Sequence, residues 1–90
     1  MLISKLSKGF TKDFELAKRR GLNIDLINHT MHLILSGKPL PAKFHNHKLQ
    51  IGKYKNCFEC HITPDWLLIY KVLDDKIVYF LHTGTHSDLF

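Results

Sequence analysis

One segment constrains the fold more than any other. Trp66–Leu73 reads Trp-Leu-Leu-Ile-Tyr-Lys-Val-Leu, with a single charge in eight residues. That length and its β-branched and aromatic content fit a strand, and apolar residues at both parities fit a strand buried on both faces. It belongs in the middle of a sheet. The chain that must surround it has 90 residues, 44% hydrophobic and 23% charged, which predicts one folded domain over 1–90. A dinucleotide fold needs more chain than this, and no Gly-rich phosphate loop is present. No apolar run is long enough to span a membrane. Met-Leu-Ile-Ser-Lys at the start lacks the pattern of a secretory signal. Two cysteines are too few for a disulfide scaffold. The expected setting is a reducing cytoplasm, with no membrane contact.

The remaining elements follow from spacing and punctuation. Leu2–Leu6 fits a first strand. Ser7 can cap a helix that carries Phe10, Phe14 and Ala17 on one face, with Gly21 ending it. Its solvent face holds Lys12, Lys18, Arg19 and Arg20. Asn23 can cap a second helix with Ile24, Ile27, Met31, Ile34 and Leu35 at helical spacing, ending near Gly37. Pro39 and Pro41 make Lys38–Gln50 a crossing loop. Tyr54–Ile62 alternates as a strand. Tyr54, Asn56, Phe58, Cys60 and Ile62 take one side, and Lys55, Cys57, Glu59 and His61 take the other. Thr63-Pro64-Asp65 is a turn, Asp74-Asp75 a hairpin turn, Lys76–His82 a last strand and Thr83–Phe90 a polar tail. The order is β-α-α-β-β-β, an α+β chain.

Charge is unevenly spread. The net charge is +5, but residues 1–55 carry eleven basic and three acidic side chains, whereas residues 56–90 carry two basic and five acidic ones. A basic excess of this kind suits a polyanion, nucleic acid first and an acidic protein second; a merely solvated surface is the plain alternative. Seven histidines are a second excess, five of them from His45 onward.

Three groups of residues can carry chemistry. Cys57-Phe-Glu-Cys60 has the spacing of a zinc or dithiol pair. On a strand, however, residues three apart point to opposite faces, which makes Cys60 core and Cys57 a surface thiol. His45 and His47, with His61 or His86, can be arranged as zinc ligands. The same histidines, beside Asp65 and Glu59 and among many lysines, equally suit proton transfer near neutrality. RNA cleavage by its own 2′-hydroxyl needs a base, an acid and a cation near the phosphorane, and no metal. His29 and His32 read as ordinary helix residues. Phe90 can stack on a nucleobase, or Leu89 and Phe90 can tuck against the sheet edge.

The ordered segments His47-Lys-Leu-Gln50, Glu59-Cys-His61-Ile-Thr-Pro-Asp65-Trp-Leu-Leu-Ile-Tyr70 and Thr83-Gly-Thr-His86-Ser-Asp-Leu-Phe90 resemble the YafQ branch of the RelE/ParE toxin superfamily. The likeness covers nearly the whole chain. It implies a twisted, mostly antiparallel sheet with two N-terminal helices packed on one face. It also implies a toxin of a type II toxin–antitoxin pair, an endoribonuclease that cuts mRNA in the ribosomal A site without cofactor or metal. The implied catalytic residues are His47, His61, Asp65 and His86. The implied substrate contacts are Phe90, His82, Glu59, Lys48 and Lys53. The implied partners are the ribosome, its mRNA and an acidic antitoxin whose C-terminal segment covers the basic surface. The toxin itself would be a monomer within that hetero-oligomeric complex.

The chain departs from the family pattern at His82 and Phe58, both positions where arginine is usual; no arginine follows Arg20. Ile51–Asn56 is one residue longer than usual, an excess that a β-bulge would absorb. Two other readings compete with the ribonuclease. One is a non-catalytic, ParE-like or decayed toxin that only binds its antitoxin or a protein target. The other is a small zinc protein.

Overall fold

The computed structural model describes residues Met1–Phe90. Strand β1 (Ile3–Leu6) leads into helices α1 (Lys8–Arg19) and α2 (Ile24–Leu35), followed by a 3-10 turn at Ala42–Phe44. Then come β2 (His47–Lys48), β3 (Phe58–Thr63), β4 (Trp66–Leu73), β5 (Ile77–Gly84) and α3 (His86–Leu89). The strands make one sheet in the order β1-β5-β4-β3-β2. β1 runs parallel to β5 and the other pairs are antiparallel. The α+β class and the order read from sequence hold, with β2 and α3 added. No helix is long and apolar enough to cross a membrane.

The double-sided apolar run has a direct structural cause. β4 lies at the centre of the sheet and sends alternate residues into two layers. Trp66, Leu68 and Tyr70 join Phe10, Ala17, Ile27 and Ile34 beneath α1 and α2, together with Cys60 and Phe80. Leu67 and Ile69 join Tyr54, Cys57 and Leu89 on the opposite face. Both helices start where expected. The Ser7 hydroxyl accepts the Phe10 N–H at 2.9 Å and donates to the Leu81 carbonyl at 2.6 Å, which ties the start of α1 to β5. The Asn23 side chain accepts the Asp25 N–H at 3.0 Å. Gly21 ends α1 with a φ of +77°, a conformation that glycine adopts without steric cost.

Four expectations need correction. The strand predicted over Tyr54–Ile62 begins only at Phe58; the segment before it winds through a turn in which Asn56 has a φ of 71°. The expected bulge is there: Asn56, in the left-handed conformation, and Cys57 together oppose Leu49, with backbone hydrogen bonds from Leu49 N–H to Cys57 O at 2.8 Å and from Asn56 N–H to Leu49 O at 2.9 Å. Cys57 is consequently buried on the second face rather than being a surface thiol. The Lys38–Gln50 loop contains a short helical turn and the two-residue strand β2. The polar tail is partly regular: β5 continues to Gly84, and α3 follows with Leu89 buried and Phe90 half exposed.

Candidate active site

Residues directly opposite each other in an antiparallel pair share a face. His47 lies opposite Glu59, Glu59 opposite Ile69, and His61 opposite Leu67. The three polar residues therefore share a face with Leu67 and Ile69, away from α1 and α2. Glu59 is only 7% exposed. A carboxylate so buried needs partners, and two imidazoles supply them. Its Oε1 lies 3.4 Å from His47 Nε2 and 3.7 Å from His61 Nε2. The other nitrogen of each ring faces a backbone carbonyl: His47 Nδ1 lies 2.8 Å from the His45 oxygen, and His61 Nδ1 lies 3.3 Å from the Pro64 oxygen. A carbonyl only accepts, so each Nδ1 carries a proton. In both rings Nε2 is the nitrogen that faces Glu59.

The approach to β2 is braced from below. The Tyr70 hydroxyl donates to Asn46 Oδ1 at 2.8 Å, and burial pushes its own pKa up to about 12. His45 adopts the left-handed conformation with a φ of 47°, and its ring meets His61 edge-on at 5.6 Å. A cavity of about 810 Å³ opens at this group, lined by His29, Lys43, His45, His47 and His61.

A second cavity, of about 430 Å³, shares Thr63 with the first and is lined by Asp13, Arg20, Lys53, Asp65, Trp66 and His82. Asp65 is exposed at the β3–β4 turn and pairs with none of the histidines. His82 Nδ1 lies 2.9 Å from Asp13 Oδ2, an oxygen that also accepts the Thr83 N–H at 3.1 Å. A side chain at Gly9 would collide with the His82 ring, so glycine lets the imidazole lie against α1. The Trp66 indole N–H is buried without a partner.

An aromatic series runs from His82 towards the C-terminal turn. Tyr54 lies 5.6 Å from the His82 ring and meets Phe90 edge-on at 5.5 Å. Phe90 in turn stacks on His86 at 4.9 Å. Lys53 Nζ sits over the Tyr54 ring, and Lys48 is exposed on β2.

The predicted residues therefore fall into three neighbouring groups: His47, Glu59 and His61; Lys53, Asp65 and His82; His86 and Phe90. The sequence reading missed Asp13, Tyr54, the pairing of Arg20 with Asp88, and the free Trp66 N–H. Asp13 and Arg20 meet their partners 69 and 68 residues away, so no local pattern announces them. The cysteines do not converge, since Cys57 and Cys60 lie in different cores. Burial, followed by the Glu59 charge, pushes the Cys60 thiol up to about 12. No group of three or more His, Cys, Asp or Glu side chains is arranged to hold a metal ion.

Known proteins share both the sequence and the fold. Residues 3–90 match the family model described as bacterial toxin of type II toxin-antitoxin system, YafQ. The chain is 42% identical over 82 residues to the mRNA interferase toxin YafQ of Escherichia coli strain K12, covering 90% of this chain and 87% of that protein. The crystal structure of YafQ from E. coli strain BL21(DE3) superposes with a TM-score of 0.91 at 35% identity, covering 100% of this chain and 99% of that one. YafQ in the crystal structure of the E. coli DinJ–YafQ toxin–antitoxin complex superposes at 0.89 with 38% identity, over 99% and 97% of the two chains. The match spans the sheet, the helices and the histidine-bearing segments together, and the chain belongs to the YafQ family of bacterial type II toxin–antitoxin toxins.

Proposed function

We propose that this toxin cuts mRNA on the ribosome by metal-independent acid–base catalysis, and that an acidic antitoxin restrains it. Its identity to the E. coli mRNA interferase over most of the chain makes it an endoribonuclease. The observation that carries the mechanism is the buried Glu59 carboxylate between two imidazoles that both face it with Nε2.

In this mechanism a neutral imidazole takes the proton of the 2′-hydroxyl. The 2′-oxygen bonds to the adjacent phosphorus, the bond to the 5′-oxygen breaks, and a protonated imidazole gives that oxygen its proton. His47, His61 and His86 supply these groups, assisted by Asp65. Glu59 orients His47 and His61 and balances their charge. Phe90, paired with His86, offers a stacking face to a base. Lys53 and His82, which line the second cavity, supply positive charge for phosphate, and Lys48, exposed on the edge strand β2, adds to it.

Ribosome-bound mRNA carrying a single 2′-deoxy nucleotide at the cut site tests this reading. The all-ribose message is expected to yield 2′,3′-cyclic phosphate and 5′-hydroxyl ends, and the 2′-deoxy message to remain intact. Cleavage of both at similar rates would mean that water is the nucleophile and that the histidines act differently.

A further inference from the structure

The residue proposed to act last in the chain, His86, sits on a helix of four residues. One helical turn does not hold itself together in water, because nucleation fixes several residues for one hydrogen bond. Something else must keep α3 in place. Leu89 anchors one side in the second core. Thr85 and Asp88 close a capping box: Asp88 Oδ2 accepts the Thr85 N–H at 2.9 Å, and the Thr85 hydroxyl accepts the Asp88 N–H at 3.1 Å.

A third restraint comes from the far end of α1. Arg20 Nη1 lies 2.7 Å from Asp88 Oδ2 and Nη2 lies 3.3 Å from Oδ1, so the guanidinium grips both carboxylate oxygens. The backbone from which Arg20 reaches is itself fixed, because its N–H bonds the Leu16 carbonyl at the end of α1. One carboxylate therefore both caps the turn and ties it to another helix. A side chain at Gly84 would press on Asp88 at 3.0 Å, so a small residue there permits the approach. Arg20, joined by the Thr85 N–H, holds the Asp88 carboxyl well below the usual carboxylate range.

We propose that Arg20 is a positioning residue whose fork to Asp88 latches α3 against α1 and so fixes the stacked His86 and Phe90 for RNA cleavage. The catalytic half of this proposal rests on the function proposed above. The latch itself does not. Both side chains are partly exposed, so the pair adds only a little to the stability of the whole fold and acts mainly on local order.

The test uses the full chain as wild type, Arg20→Gln and Arg20→Lys. The Leu89 and Phe90 amides bond the Thr85 and His86 carbonyls at 3.2 and 2.9 Å. Their hydrogen exchange is expected to quicken by about three- to fivefold in Arg20→Gln. Lysine, a point charge without the fork, should restore part of the protection. On ribosome-bound mRNA, kcat should fall by a similar factor with KM and antitoxin binding unchanged. Unaltered exchange at Leu89 and Phe90 in Arg20→Gln would overturn the latch whatever the activity. Faster exchange with unaltered kcat would overturn its role in positioning. A wild-type chain that cuts no mRNA would overturn the functional reading, and the exchange measurement would still decide the latch.

Discussion

His47 and His61 show how the chain orients the imidazoles proposed above to transfer protons. Each gives its Nδ1 proton to a backbone carbonyl and presents Nε2 to the same glutamate. The orientation of each ring is thus set by the chain itself. His82 is prepared differently. It stands where the family usually carries arginine, and Asp13 is its partner at 2.9 Å. Histidine is charged only while protonated, whereas arginine is charged throughout the working range. His82→Arg is therefore expected to retain cleavage and to hold its activity to higher pH than wild type, read from the pH–rate profile. An arginine variant inactive at every pH would show that the imidazole does more than supply positive charge.

At the scale of elements, regular structure was legible in the sequence wherever spacing and punctuation agreed. Ser7, Gly21, Asn23 and the Trp66–Leu73 run marked their elements closely. What escaped had no local pattern. β2 is two residues long and polar, so it shows no alternation, yet it carries His47 to the side of Glu59. The alternation read from Tyr54 breaks at Asn56, whose positive φ turns Cys57 inward. α3 was hidden by its length, although Thr85 and Asp88 are the residues of a cap. The charge on Asp88 makes this helix sensitive to acid. Its folded carboxyl ionises at lower pH than an unfolded one, chiefly through Arg20. The resulting stabilisation is complete above the ordinary carboxylate range and is lost as pH falls through the folded value. Asp88→Asn keeps a capping oxygen and removes the charge. Its melting temperature should lie up to about three degrees below wild type at pH 7. The gap should close as pH falls below about 4. A gap unchanged at pH 2 would mean that the charge on Asp88 is not what stabilises the turn.

Across the whole molecule, the two faces of the sheet carry different cores, and both helices reach the candidate site through Asp13 and His29. α1 and α2 cover one face and build the larger core, while the other face carries the smaller core and the His47–Glu59–His61 group. Two cavities that share Thr63 bring His47 of β2, His61 of β3 and the His82 wall into one region. The first half of the chain carries eleven basic side chains against three acidic ones, a balance that suits the RNA substrate and the acidic antitoxin proposed above. The family was legible from three ordered motifs, which also carry the proposed histidines. The contacts that seat those histidines were not, because they join segments far apart in the chain. The central claim is that these histidines form one cleavage centre, and His86, on α3, tests it away from the His47–Glu59–His61 group. The most direct measurement is the single-turnover rate of mRNA cleavage on ribosomes by His86→Ala, using protein that still folds and binds its antitoxin. A loss of about a hundred- to ten-thousandfold is expected for a general acid or base. A well-folded His86→Ala protein that cleaves at the wild-type rate would contradict the account.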